Sequence, residues 1–424
     1  MSRRSASIML HVLGSTVGRW LWWYYRISVH YHDRQAARHG PMLLLSNHVN
    51  FWDPFLLAFG LRVPIRFLAA DGNFRTRGMR VLMTAMGAIP KAKARTDMES
   101  LRILQREIAN REIVALFPEG QRTWDGRPRP IPPATGKLAR ILGAPVVAAE
   151  IRGGYLSKPR WARTRRRGRI EIHVRTVVRR AELTSLPRPV VQERIARAVA
   201  WNDHHWQRDT ERHFRGDRPA EGVEQAVYWC PVCGAWGAIR GAGDRIHCTS
   251  CAAEWWFTSS GTLFQIAGAR NGDGERLPHL GVWGERQETA LRHSLQSSLP
   301  YHFTAEYSTG YRSRPLRWKG SVRGTLTDRL LVLHPRDAVA TTDSSVPPPA
   351  ASVEPTVSAG PTPPPFHQFP LSAISAIQVQ YTRQLEFYTF GTLHVLRVTG
   401  PHDSAARVEA TVLALQELYK SNKH

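Results

Sequence analysis

Cysteine is scarce in this chain. There are four in 424 residues, and all fall in two Cys-x-x-Cys pairs, Cys230/Cys233 and Cys248/Cys251. That pattern excludes a disulfide framework and reads instead as metal ligation, which needs reduced thiolates and hence a cytoplasmic setting. No cysteine is left to act as a nucleophile, and no Gly-x-Ser-x-Gly elbow occurs, so neither common route to a covalent acyl-enzyme is provided. Acidic residues are few as well: 34 Asp+Glu against 58 Lys+Arg, a formal charge of +24. A chain so basic expects a polyanionic partner, either nucleic acid or an anionic lipid surface. The apolar run near the N-terminus has only 14 uncharged residues between Arg4 and Arg19, short of the ~20 that span a bilayer. There is no internal repeat.

With 42% hydrophobic residues the chain has ample material for buried cores, and its length predicts two or three domains. The N-terminal run leads into Arg19-Trp-Leu-Trp-Trp-Tyr-Tyr-Arg26. Trp and Tyr favour the headgroup layer, so residues 5–29, within an N-terminal segment 1–29, are expected to form an interfacial helix lying on the membrane. A helix packed on the protein's own core is the alternative. From residue 41 to about 180, short apolar runs alternate with helical patterns. Residues 42–46 and 113–117 are nearly continuous in apolar residues, and 146–151 form a third run. Such runs suit strands buried on both faces, in an α/β sheet covered by helices. A helix over 189–214 would end this region, placing the first domain at 30–215.

The first chemical signal is Ser46-Asn-His-Val-Asn-Phe-Trp-Asp-Pro54, with His48 and Asp53 five residues apart. That spacing is common, and His204 and Asp209 repeat it in a charged helical stretch. His48 differs because it leaves a buried strand on a loop, where α/β folds place their chemistry. Five residues cannot align on a helix face, so His48 and Asp53 must meet through a turn. The plainer reading makes Asp53 the N-cap of a helix begun by Pro54. The second signal is Phe117-Pro-Glu-Gly-Gln-Arg-Thr-Trp-Asp-Gly126. Here Arg122 could pair with a phosphate, and Glu119 could accept hydrogen bonds from an acceptor hydroxyl or from the loop backbone. A Glu119–Arg122 ion pair within the loop is the alternative.

Together these blocks resemble the lysophosphatidic-acid acyltransferase family. Residues 41–155 carry Asn47-His48 to Asp53, Gly87-Ala-Ile-Pro90 followed by Lys91, Lys93 and Arg95, then Phe117 to Arg122, and Ala144-Pro145-Val146-Val147. The resemblance implies an acyltransferase-type mixed sheet. It also implies a general base, His48, held by Asp53, and an acyl-CoA or acyl carrier protein as donor to a lysolipid acceptor. Asn47, Glu119, Gly120, Arg122 and Pro145 would line the substrate site, with Lys91, Lys93 or Arg95 in the place of the family's arginine.

The two cysteine pairs, with 14 residues between them, predict a structural four-cysteine zinc ribbon over 226–257; four thiolates close the coordination shell. The basic cluster over 160–169 is expected to meet anionic headgroups or acyl-carrier phosphates, or else to be a solvated loop. Residues 301–424 turn strongly β and close with an amphipathic helix capped by Asp403 or Ser404. A Pro/Ser/Thr/Ala run over 338–366 is expected to be a disordered loop. This segment is similar to small pleckstrin-homology (PH-like) domains, which implies either lipid or partner docking or a β module packed on the enzyme. Two functions stay open: a peripheral acyltransferase on the cytoplasmic face of an anionic membrane, or an inactive acyltransferase-like protein that binds membrane or nucleic acid. The basic cluster lacks interleaved aromatic platforms and no helix-turn-helix is evident, which weighs against nucleic acid.

Overall fold

Strands β2 (Met42–Leu45), β5 (Ile113–Leu116) and β6 (Val146–Arg152) lie side by side and parallel at the centre of a seven-stranded sheet. The computed structural model describes residues 16, 18–33, 40–91, 98–268, 277–295, 297, 299–311, 313–336 and 367–421. The remaining strands are β1 (Ser28–Tyr31), β3 (Ile65–Ala70), β4 (Ile89–Lys91) and β7 (Glu171–Val178), and the order is β1-β7-β6-β2-β5-β3-β4. Only the β6–β7 pairing is antiparallel. Every residue of β2 and β5 is buried. Met42, Leu44, Ile113 and Ala115 enter one core, and Leu43, Leu45, Val114 and Leu116 the other. This two-sided burial is why these strands read as unbroken apolar runs.

The N-terminal helix differs from expectation. Residues 1–15, which carry the first part of the expected helix, lie outside the described residues. Helix α1 (Arg19–Tyr25) stops at Tyr25, where Arg26 takes a left-handed conformation, and β1 follows. Leu21 and Tyr25 are fully buried in the sheet's core, while Trp23 is 62% exposed. The helix is thus packed on the protein along one face and open on the other. The single helix expected over 189–214 is two, Arg188–Val199 and Asp203–Thr210, because Ala200 leaves helical geometry and Asn202 caps the second.

The cysteine pairs belong to a four-stranded antiparallel sheet, β8 (Ile239–Ala242), β9 (Arg245–Cys248), β10 (Glu254–Phe257) and β11 (Leu263–Ala267). It runs past the expected boundary at 257. Its core includes Trp161 and Ala162, and Trp283 of a helix over Leu280–Ser294. By packing, this ribbon is one unit with the first sheet, Met1–Ala290 with Arg312–Pro315.

The second unit comprises Leu291–Tyr311 and Leu316–His424. Seven antiparallel strands, β12 (Tyr301–Gly310), β13 (Arg317–Leu326), β14 (Leu330–Pro335), β15 (His367–Pro370), β16 (Ser375–Gln380), β17 (Gln384–Thr389) and β18 (Thr392–Val398), form one sheet in the order β15-β14-β13-β12-β18-β17-β16. The closing helix runs Ala405–Ser421, burying Val408, Val412 and Leu415. Ser404 is its cap, accepting from Arg407 N–H at 3.3 Å, whereas Asp403 turns away to accept from Thr304 N–H at 2.8 Å. The loop expected over 338–366 lies outside the described residues.

Candidate active site

β2, β5 and β6 run parallel, so the loops after β2 and β5 emerge at one end of the sheet beside the end of β6. His48 sits on the first of these loops. Its Nδ1–H donates to Asp53 Oδ2 at 2.8 Å. The same oxygen accepts the Val49 and Asn50 backbone N–H groups, each at 2.8 Å. Asp53 is fully buried and stands inside the first turn of helix α2 (Asp53–Leu61). It does not cap that helix: the flanking position belongs to Trp52, and the carboxylate faces back toward His48. The His48 side chain remains 21% exposed and its ring stacks on Phe117, centroids 4.2 Å apart. Burial pushes its pKa below the ordinary imidazole value, the Asp53 hydrogen bond and charge push it up, and the charges of Arg122 and Arg160 push it down again. The net direction is down, so the ring is neutral at neutral pH and Nε2 is a free base.

Glu119 comes from the loop after β5 and joins the two loops. Its Oε1 accepts His48 N–H at 2.9 Å and its Oε2 accepts Arg129 N–H at 3.0 Å. Of the roles considered for Glu119, these bonds show backbone support. Burial raises its pKa to about 7 against those two hydrogen bonds. Thr123 N–H donates to the His48 carbonyl at 3.2 Å, a second tie between the loops. Gly120, at φ +75°, closes the turn with its N–H on the Phe117 carbonyl; a side chain would be strained there. Asn47 clips the loop to β6: its amide donates to the Ile151 carbonyl and accepts the Ile151 N–H, both at 2.8 Å.

His48, Asp53, Asn47, Glu119, Gly120 and Arg122 therefore converge. Two other residues, Pro145 and Lys91, do not. Pro145 precedes β6, and its carbonyl accepts Leu43 N–H, level with the start of β2. At about 3.3 Å per residue that is the far end of the sheet from His48. Lys91 ends β4 and is exposed, three strands from β2. Lys93 and Arg95 lie outside the described residues. The cation beside the site comes instead from the basic cluster: Arg160, almost wholly buried, donates to the Arg122 carbonyl at 3.1 Å and lies over the Trp124 ring. The rest of that cluster is mixed: Arg163, Arg165, Arg167 and Arg169 are exposed, whereas Arg166 is held inside. Arg166 is buried between Trp161 and Phe257 and donates to the Pro219 carbonyl at 2.6 Å.

Sequence reasoning missed the layer behind the loop. Asn50 donates to the Gly154 carbonyl and to Ser157 Oγ, at 3.2 and 3.1 Å. Both belong to a one-turn helix, Gly154–Ser157, held by the buried Asp203, which accepts Gly153, Tyr155 and Leu156 N–H groups and the Trp201 indole N–H. Asp203 is 150 positions from Asp53 and no local pattern links them. His204, set aside by its context, is indeed structural: its Nε2–H donates to the Asp125 carbonyl at 2.7 Å, and its ring stacks on His279.

Residues 28–152 match the family model described as Acyltransferase. A chloroplastic 1-acyl-sn-glycerol-3-phosphate acyltransferase of Brassica napus is 26% identical to this chain over 132 residues, 31% of its length. The chain covers 38% of that relative's length. Among solved structures, the 1-acyl-sn-glycerophosphate acyltransferase PlsC of Thermotoga maritima aligns with 44% of this chain and 77% of its own, at 20% identity and a TM-score of 0.37. The N-terminal PH domain of human ARAP2 covers 28% of this chain and 81% of its own, at 15% identity and a TM-score of 0.17.

The four cysteines form a second candidate site. Their sulfurs lie within 4.8 Å of one another, with Cys230–Cys251 and Cys233–Cys248 each at 3.8 Å. A tetrahedron of thiolates about 2.3 Å from zinc has sulfurs about 3.8 Å apart. The two turns match. Cys230 N–H bonds the Ala235 carbonyl as Cys248 N–H bonds that of Ala253, and Gly234 and Ala252 both have positive φ. The donors and their geometry fit a structural metal.

Proposed function

We propose that this protein transfers a fatty-acyl group from an acyl thioester, acyl-CoA or acyl carrier protein, to the hydroxyl of a lysolipid, with lysophosphatidic acid as the first acceptor to test. The His48–Asp53 hydrogen bond beside a free Nε2 carries this reading. Nε2 takes the proton of the acceptor hydroxyl as its oxygen attacks the thioester carbonyl. Asp53 fixes the Nδ1–H tautomer and stabilises the imidazolium. When the tetrahedral intermediate collapses, the C–S bond breaks and the imidazolium returns the proton to the departing thiolate. Arg122 and Arg160 bring positive charge to the same place, which suits a phosphate on acceptor or donor. The cysteines would hold structural zinc, with no part in the chemistry.

The setting proposed is the cytoplasmic face of an anionic membrane, bound peripherally. Among the described residues no helix is long and apolar enough to cross a membrane. Trp20, Trp22, Trp23 and Phe51 are exposed, and Arg165, Arg62 and Arg167 lie over the rings of Trp20, Trp22 and Trp23 respectively. Trp20 also touches Trp52, so this aromatic and cationic surface continues into the catalytic loop. The C-terminal unit would serve as a docking module, its exposed Trp318 flanked by Arg317 and Lys319. The test is an acyl-transfer screen of the purified chain against a lysolipid panel, with products read by mass spectrometry. Ester formation on one or more lysolipids is expected. Tight, salt-sensitive nucleic-acid retention without any turnover would contradict it.

A further inference from the structure

The outer face of β1 and β7 carries a cluster unrelated to the catalytic loop. These two strands pair in parallel with His30 opposite His173 and Ser28 opposite Glu171. Alternation sends Val29, Tyr31, Ile172 and Val174 into the core and places His30, His32, Glu171 and His173 together on the other face. His30, Glu171 and His173 each offer a ligand atom, all within 4.8 Å of one another. Glu171 is buried, His173 half-buried, and His30 and His32 exposed.

The cluster is organised. His173 Nε2 faces Glu171 Oε2 at 3.1 Å, and its Nδ1 faces His32 Nε2, also at 3.1 Å. Arg212 and Arg169 both approach Oε1 of Glu171, at 2.8 and 3.5 Å, which leaves Oε2 to the histidine. Two ligands of a tetrahedral ion at about 2.0–2.1 Å are separated by about 3.3 Å, close to the Glu171–His173 spacing. We propose that His30, Glu171 and His173 form a second metal site, for a divalent ion of the zinc class that accepts imidazole and carboxylate together. The ion takes Nε2 of His173, displacing the proton now shared with Glu171. The ring then carries its proton on Nδ1 and donates it to His32, the outer hydrogen bond that fixes a ligating imidazole. His30 lies stacked on His173, centroids 4.6 Å apart. Being exposed, it can turn to present a nitrogen and leave the remaining position to solvent.

The site is independent of the acyl-transfer reading, and so is its test. Full-length protein saturated at the cysteines is titrated with Zn2+ against a chromophoric chelator. One further equivalent is expected. His30→Ala and His173→Ala should lose it, and His32→Ala should weaken it ~10–100-fold, the range for loss of an outer partner. His30 is exposed, so a melting curve like that of the parent keeps its result interpretable if the His173 variant fails to fold. A parent that binds only the cysteine-held equivalent would overturn the proposal, as would His30→Ala and His173→Ala variants that titrate like it.

Discussion

The nitrogen proposed to accept the hydroxyl proton belongs to a ring whose basicity is set by opposing neighbours. Burial and the charges of Arg122 and Arg160 lower the pKa of His48; the hydrogen bond and charge of Asp53 raise it. Asp53→Asn removes the carboxylate charge and asks an uncharged amide oxygen to hold the three donors that Oδ2 holds now. We expect turnover to fall by ~10²–10⁴-fold and the acid limb of the kcat/KM profile to move to lower pH. A limb that stays in place would mean His48 is not the titrating base. Glu119 gives a second test. A glutamine there accepts at one end and presents N–H to a backbone N–H at the other, leaving a buried donor unmatched at ~1–3 kcal/mol. Turnover should drop accordingly. Burial raises the Glu119 pKa from its ordinary value of 4.5 to about 7. Its contribution to stability is therefore fully present below pH 4.5 and lost as pH rises through about 7. Thermal melting across that window should show this decline in the parent and less of it in Glu119→Gln. His48, Asp53, Asn47 and Glu119 were legible because each sits within a few residues of an apolar strand that announces itself. Arg160 was legible only as charge, since its approach to His48 depends on a loop closing across 112 residues of chain.

At the scale of elements, the His48 loop is held by a turn that is itself held from elsewhere. Asp203 gathers the N–H groups of Gly153, Tyr155 and Leu156, the turn accepts the Asn50 amide, and Asn50 N–H reaches Asp53. Arg166, clamped between Trp161 and Phe257, ties the following segment to the ribbon. Four thiols without metal leave the two turns of the ribbon unanchored, because such modules fold on their ion. Stripping the metal with a strong chelator, or Cys248→Ser, should lower the melting temperature of the first unit and reduce acyl transfer with it, since the ribbon's core includes Trp161. Stripped protein with unchanged turnover would show the ribbon to be energetically separate. The sequence marked the ribbon by its cysteines but not its extent: β11 and the helix over Leu280–Ser294 contribute Leu263 and Trp283 to that core from beyond the spacing pattern.

Over the whole molecule, charge and aromatic exposure point the same way. The formal +24 predicts attraction to anionic lipid that weakens with salt, and the exposed tryptophans of α1 predict an additional, salt-resistant component. Trp23→Ala, at the most exposed of these rings, should lower binding to anionic vesicles several-fold in sedimentation assays while leaving the melting temperature unchanged. Loss of Leu21 or Tyr25 should instead unfold the helix, because both are core residues. The N-terminal helix shows why its end was misplaced from sequence. Trp, Tyr, Ile and Val near residues 20–29 serve helix and strand equally well, and the left-handed residue that separates them is an arginine, not the glycine that usually marks such a stop.

The most direct measurement is single-turnover acyl transfer from an acyl-CoA to the best lysolipid acceptor, comparing the parent with His48→Ala. Loss of the base should slow ester formation by at least ~10²-fold with acyl-CoA binding retained. A His48→Ala protein that forms ester at a near-parental rate would contradict the account.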